Sequence, residues 1–160
     1  MVRLPSAVLK IRADEVGDQI DPGLMQDLID TMRSSPACVG LAAPQIGVSR
    51  RAIVVDVSDH PRTSIHHGLV ALFDPRIVEL TGREQAREGC MSVPDLTANV
   101  IRGTRVTVVG TGVDGETVVI ETEGFEARAF QHEVDHLDGA LILDRVASLT
   151  DDVFRRRLYR

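Results

Sequence analysis

Two histidines four residues apart, with a glutamate directly after the first, stand in Gln131-His132-Glu133-Val134-Asp135-His136-Leu137. On a helix such residues share a face, so His132 and His136 can turn both imidazoles toward one metal ion. Glu133 projects beside them, where a carboxylate can take a proton from water activated by that ion. Phe130, Val134, Leu137 and Leu141 give the segment an apolar flank, which predicts a helix buried in a sheet. The competing reading is a histidine pair that serves the core and finds other partners for its ring nitrogens.

Two histidines leave such a site one ligand short, because a catalytic ion takes three protein ligands and keeps an open position. No histidine follows His136, so the third ligand must come from elsewhere in the chain. His60, His66 and His67 fall in the polar stretch Ser58–Gly68 and read as solvated surface histidines. Cys90 sits in Glu88-Gly89-Cys90-Met91-Ser92-Val93-Pro94, a small-residue turn between strands where Gly89 lets the backbone approach a ligand. That makes Cys90 the better candidate. Cys38, the other cysteine, reads as a small buried hydrophobe.

The elements that must position these groups are legible in outline. Asp21-Pro22 is an N-cap followed by Pro at the first helical position, and Leu24, Leu28 and Met32 continue as an apolar stripe. This first helix should end near Ser34–Pro36. The Gly/Ala/Pro segment Gly40–Gly47 is too broken for a regular element. Ala52–Val57 reads as a buried strand, and Leu69–Leu80 as another, bent near Asp74-Pro75. Arg105–Thr111 and Thr117–Thr122 flank an Asp114-Gly115 turn, a strong hairpin signal. The HExxH helix should run from Gly124 to Leu137. A last helix is expected over Ser148 to Tyr159. Strands in the middle, a hairpin and surrounding helices give an α+β fold with antiparallel sheets packed around the HExxH helix, flanked by an N-terminal and a C-terminal helix.

The whole chain, 160 residues and 17.5 kDa, fits one catalytic domain spanning residues 1–160. Its net charge of −6, with no broad basic stretch, argues against a general nucleic-acid binder, so no DNA partner is expected. Its longest apolar stretches, such as Ala37–Ala43, are far too short to span a bilayer, so no membrane association is expected. The N-terminal residues show no apolar signal-peptide core, which together with only two cysteines predicts a cytoplasmic protein without a structural disulfide. Arg155, Arg156, Arg157 and Arg160 suit the C-terminal end of a helix, whose dipole favours cations. The other reading is a basic arm that docks on ribosomal RNA.

Three segments in order, Gly40-Leu41-Ala42-Ala43-Pro44-Gln45-Ile46-Gly47, Glu88–Pro94 and Gln131–Leu137, resemble the three motifs of peptide deformylases. The resemblance spans most of the chain and weakens in Ser58–Gly68 and at the C-terminus. It implies a cytoplasmic, metal-dependent hydrolase that removes the formyl group from the N-terminal formyl-methionine of newly synthesised polypeptides and releases formate. Carried over by position, it assigns Cys90, His132 and His136 as metal ligands and Glu133 as general acid/base. Gln45 and the backbone N–H of Met91 become the oxyanion donors, and Val39, Gly40 and Gly89 the edge that pairs with the peptide. Arg102 would pair with Glu88, and Asp135 would orient a ligand. The implied native ion is iron(II), with zinc, nickel or cobalt able to take its place. The implied partners are N-formyl-methionyl polypeptides and, where they emerge, the ribosome.

Four positions depart from the family pattern. Cys38 replaces a glycine at the head of the first motif, Met91 replaces a leucine, and Thr97 stands where many members carry a peptide-holding arginine. Arg128 lies one turn before His132, on the side of the helix that faces the ion. Its stem is expected to line the methionine pocket while its charge reaches solvent or the peptide carbonyls, a substrate-binding role. Two alternatives remain at this stage: a general HExxH metallopeptidase, and an inactive deformylase-like binding protein.

Overall fold

A computed structural model describes residues 1–157. Among these residues eight strands form two antiparallel sheets. The larger has the order β1-β2-β3-β6-β7, with β1 Gly40–Ala42, β2 Ala52–Val55, β3 Val70–Thr81, β6 Arg105–Thr111 and β7 Thr117–Glu123. The smaller has the order β4-β5-β8, with β4 Glu84–Cys90, β5 Val93–Arg102 and β8 Val153–Arg155. Two α-helices complete the architecture of the described residues, α1 over Pro22–Ser34 and α2 over Gly124–Leu137.

The α1 helix begins as its sequence requires. Asp21 Oδ1 accepts the Leu24 N–H at 3.1 Å, and Pro22 has no N–H to leave unpaired. Leu24, Met25, Leu28 and Met32 bury against Leu41, Val54 and Phe73 on one side of the large sheet. Against its other side lies α2, where Ala127, Phe130, Val134 and Leu137 meet Ile53, Leu72, Val108 and Ile120. The bend in β3 is built on Asp74, which adopts φ +47° and accepts the Val16 and Gly17 N–H groups at 2.8 Å each. The pairing with β6 shifts register there, between Phe73 and Arg76.

The small sheet supplies a third core, in which Val93, Ala98 and Val100 pack on Leu9, Leu141 and Ile142. Its outer strand corrects the expectation of a C-terminal helix. Val153–Arg155 instead pairs with Leu96–Ala98, so the chain end extends the sheet. Val153 and Phe154 are strong β-formers next to an unpaired strand edge, and ladder pairing outweighs helical spacing there. The dipole account of the C-terminal arginines falls with that helix. The expected helix's last residues, 158 and 159, and Arg160 lie outside the described residues. The β4–β5 hairpin supplies the strands on either side of the Cys90 turn, although Glu84–Gly89 has no apolar alternation to announce one.

Candidate active site

The α2 helix is buried on nearly all sides, so its polar residues need built-in partners. Gln131 clasps Gly103, accepting its N–H at 2.8 Å and donating to its carbonyl at 2.9 Å. Glu126 accepts from Thr122, from the His67 backbone N–H and from the His67 ring, pinning the Ser58–Gly68 loop. These contacts fix the rotation of α2 and thereby the direction of His132 and His136.

Cys90 ends β4 directly opposite that face. Its Sγ lies 3.3 Å from His136 Nε2, and the ligand atoms of Cys90, His132 and His136 all fall within 4.8 Å of one another. Glu88 Oε2 lies 3.0 Å from His132 Nδ1, which leaves Nε2 as the ring's ligand atom. A thiolate and two imidazoles, convergent and with only His132 partly exposed, match a tetrahedral divalent ion with one position open. Glu133 stands beside them with Oε2 buried and without a partner among the described residues. Burial pushes the Glu133 carboxyl up to about 7, against the nearby His132, which pulls it down.

Glu88 is the hub of the site. Arg102 grips both its oxygens, Nε to Oε1 at 2.9 Å and Nη2 to Oε2 at 3.0 Å, and Arg128 Nη1 adds a third bond at 2.8 Å. Burial alone would raise the Glu88 carboxyl, but His132 and Arg102 outweigh it and hold the group well below the usual carboxylate range. Two sequence expectations are corrected here. Among the described residues the Asp135 carboxylate forms no hydrogen bond with either histidine; it binds Arg102 and Arg145, so it steadies the site through Arg102. Nor does the Arg128 charge reach solvent or the cleft mouth. Its guanidinium turns inward to Glu88 and to the Val100 and Glu84 carbonyls at 3.0 Å, because a buried cation takes a carboxylate where one is offered.

A cleft of about 500 Å³ opens over these residues. Val39, Gly40, Gln45, Gly89, Met91 and Arg128 all line it, so the structure brings every expected substrate and oxyanion residue to one place. Gln45 donates toward Ser92 Oγ at 3.3 Å, and its Oε1 accepts the Ala42 N–H at 3.0 Å. Gly40 is required by contact: a Cβ there would stand 2.6 Å from Glu133 Oε1. Cys38 also borders the cleft, its thiol donating to the Gly40 carbonyl at 3.1 Å and pushed up by burial to about 11.

Sequence reasoning missed two contributors. His60, read as a surface residue, stacks on Phe125 with ring centroids 4.0 Å apart, and both line the cleft. Arg156 reaches in from beyond β8 to donate to the Cys90 carbonyl at 3.1 Å. Neither position carries a local signal, since each depends on where a distant segment docks.

Such a convergent ligand triad beside a buried carboxylate oxygen without a partner among the described residues is the arrangement of a metal-dependent hydrolase. Residues 1–152 match the family model described as polypeptide deformylase. The chain is 48% identical over 126 residues to the peptide deformylase of Carboxydothermus hydrogenoformans, covering 79% of this chain and 77% of that one. It is 46% identical over 154 residues to the peptide deformylase of Desulforudis audaxviator, with 93% and 94% covered. The crystal structure of peptide deformylase from Thermotoga maritima superposes with a TM-score of 0.81 at 39% identity, over 92% of this chain and 97% of that one. The chain belongs to the polypeptide deformylase family. It is accordingly a metal-binding hydrolase of protein biosynthesis that removes the formyl group from formyl-methionine at the start of nascent polypeptides. That membership sets aside the general metallopeptidase. No helix among the described residues is long and apolar enough to cross a membrane.

Proposed function

We propose that Cys90, His132 and His136 hold the ion, that Glu133 moves the protons, and that Gln45 and the Met91 N–H receive the oxyanion. The observation that carries this reading is the convergence of three ligand atoms within 4.8 Å beside the buried, partnerless Oε2 of Glu133. A divalent cation in that triad supplies a Lewis acid and a nucleophile available at neutral pH. We assign iron(II) as the native ion, with zinc, nickel or cobalt as substitutes, and the cytoplasm, where chains emerge from the ribosome, as the place of action.

The protein's own residues account for the rest of the reaction. Water adds to the formyl carbon, and Glu133 takes the proton this releases. The carbonyl oxygen becomes an oxyanion, and the Gln45 amide and Met91 N–H donate to it; one such donor is worth on the order of 10²–10³ in rate. The carbon–nitrogen bond then breaks, Glu133 passes its proton to the departing amine, and the formic acid formed gives up its remaining proton and leaves as formate. The burial that raises the Glu133 pKa suits it to both halves of this exchange.

The sheet layout suggests how the peptide enters. β1 ends the large sheet and β4 ends the small one, so two strand edges border the cleft. An extended peptide can add to them through Val39, Gly40 and Gly89, placing the methionine side chain toward Phe125 and the stem of Arg128. Arg128 thus serves substrate binding through its methylenes alone.

The test is a formate-release assay on a formyl-Met tripeptide after anaerobic purification and metal analysis. Chelation should abolish turnover, Cys90→Ala should lose the ion, and Glu133→Ala should keep the ion while losing turnover by at least about 10²-fold. Full metal occupancy in Cys90→Ala would refute the ligand set. A metal-loaded wild-type protein that releases no formate would favour the inactive binding protein.

A further inference from the structure

The cleft-facing side of the small sheet carries a feature that the reaction above does not use. Gly89 pairs with Thr97, and Thr97 with Phe154, so these three positions stand side by side on one face. Arg87 lies two residues before Gly89 and Arg156 two residues after Phe154, which returns both to that face. Arg87, Gly89, Thr97 and Arg156 all line the cleft. The guanidinium of Arg87 lies over the Phe154 ring, 3.4 Å from its centroid, and its Nε donates to Asn99 at 2.9 Å. Arg156 Nη2 occupies the space over Gly89 that a side chain would fill and donates to the Cys90 carbonyl.

Neither arginine forms an ion pair with a carboxylate among the described residues. This contrasts with the arginines beneath them. Arg102 and Arg128 are paired with Glu88 and Asp135, two cations with two carboxylates, while Arg87 and Arg156 have none. Arg62, from the Ser58–Gly68 loop, also lines the cleft. A chain of net charge −6 therefore gathers three arginines without carboxylate partners among the described residues along this cleft.

We propose that Arg156, supported by Arg87, is a specificity-determining residue that selects peptides with an acidic side chain at the second or third position. The proposal rests on the deformylase reading and deepens it. A guanidinium already anchored by one donor to the Cys90 carbonyl keeps its other N–H groups for a carboxylate, and its orientation is held before the ligand arrives. Lysine at the same substrate positions meets like charge and is disfavoured.

The experiment uses metal-loaded, full-length protein and formyl-Met tripeptides amidated at the C-terminus, with Glu, Gln or Lys placed at the second and then the third position. Wild type should show kcat/KM at least about fivefold higher for Glu than for Gln at one of these positions, and lower again for Lys. The difference should lie in KM and shrink as salt is raised from 0.05 to 0.5 M, roughly as surface charge screening requires. Arg156→Ala should bring the Glu-to-Gln ratio to about one, and Arg156→Lys should restore part of it. Metal content and Tm are measured for each variant, because Arg156 also holds the Cys90 carbonyl. A wild-type ratio near one at both positions overturns the proposal without any variant. So does an Arg156→Ala protein that keeps the wild-type ratio. If wild type turns over none of the peptides, the deformylase reading fails instead.

Discussion

Glu88→Gln tests the logic of the site more sharply than loss of any ligand. The substitution keeps shape and removes one charge at the point where His132, Arg102 and Arg128 converge. Two buried guanidiniums would then face a neutral amide, with Arg102 retaining Asp135 and Arg128 retaining two carbonyls and only a long 3.8 Å contact to the exposed Glu84 carboxylate. Breaking a buried pair of this kind costs about 3–5 kcal/mol. For a chain of this length each kcal/mol moves Tm by about 2–4 °C, so Tm should fall by roughly 6–20 °C. His132 would also lose the carboxylate that orients its Nδ1, which should weaken metal affinity by about 10–100-fold. Urea unfolding and thermal melts of the metal-free protein read the first effect, and competition with a chromogenic chelator reads the second. A Glu88→Gln protein with unchanged Tm and unchanged metal affinity would refute the account of Glu88 as the hub.

Three further outcomes follow from particular contacts. Gly40→Ala places a methyl 2.6 Å from Glu133 Oε1, so the carboxylate must move; kcat should drop by about 10²-fold with metal retained, and wild-type kcat would show that Glu133 tolerates displacement. Arg128→Ala strips one charged bond from Glu88 and should destabilise the fold by about 1.5–3 kcal/mol in urea titrations, where a chiefly solvent-directed arginine would cost almost nothing. At Asp144 partial burial raises the carboxyl pKa, but the Lys10 ammonium and the Leu141 N–H outweigh it and leave the pKa lowered. Its stabilisation is therefore complete above the unfolded value, roughly pH 4, and is lost as pH falls through the lower folded value. Asp144→Asn should flatten stability against pH in that acid range by less than about 1 kcal/mol, and an unaltered profile would remove Asp144 from the acid response.

The sequence by itself determined the parts of this protein that depend on local spacing. The i, i+4 histidines with Glu133, the Asp21-Pro22 cap of α1 and the Asp114-Gly115 hairpin each involve residues within a few positions of one another, and each forms as read. Cys90 could be chosen by elimination and resemblance, because few other residues offered a ligand. Partnerships across the chain lay beyond that reach. Nothing near Asp135 says that its carboxylate serves Arg102 and Arg145 and leaves the histidines alone; that is settled when β5 carries Arg102 beneath α2. Arg128 has the helical position to meet a substrate, yet Glu88 docks within 2.8 Å and claims its charge. The C-terminal arginines looked like a helix end until the edge of β5 recruited Val153–Arg155 as a strand and swung Arg156 over Gly89. Charge inside a fold goes to the nearest satisfying partner, and only the tertiary structure decides which partner is near.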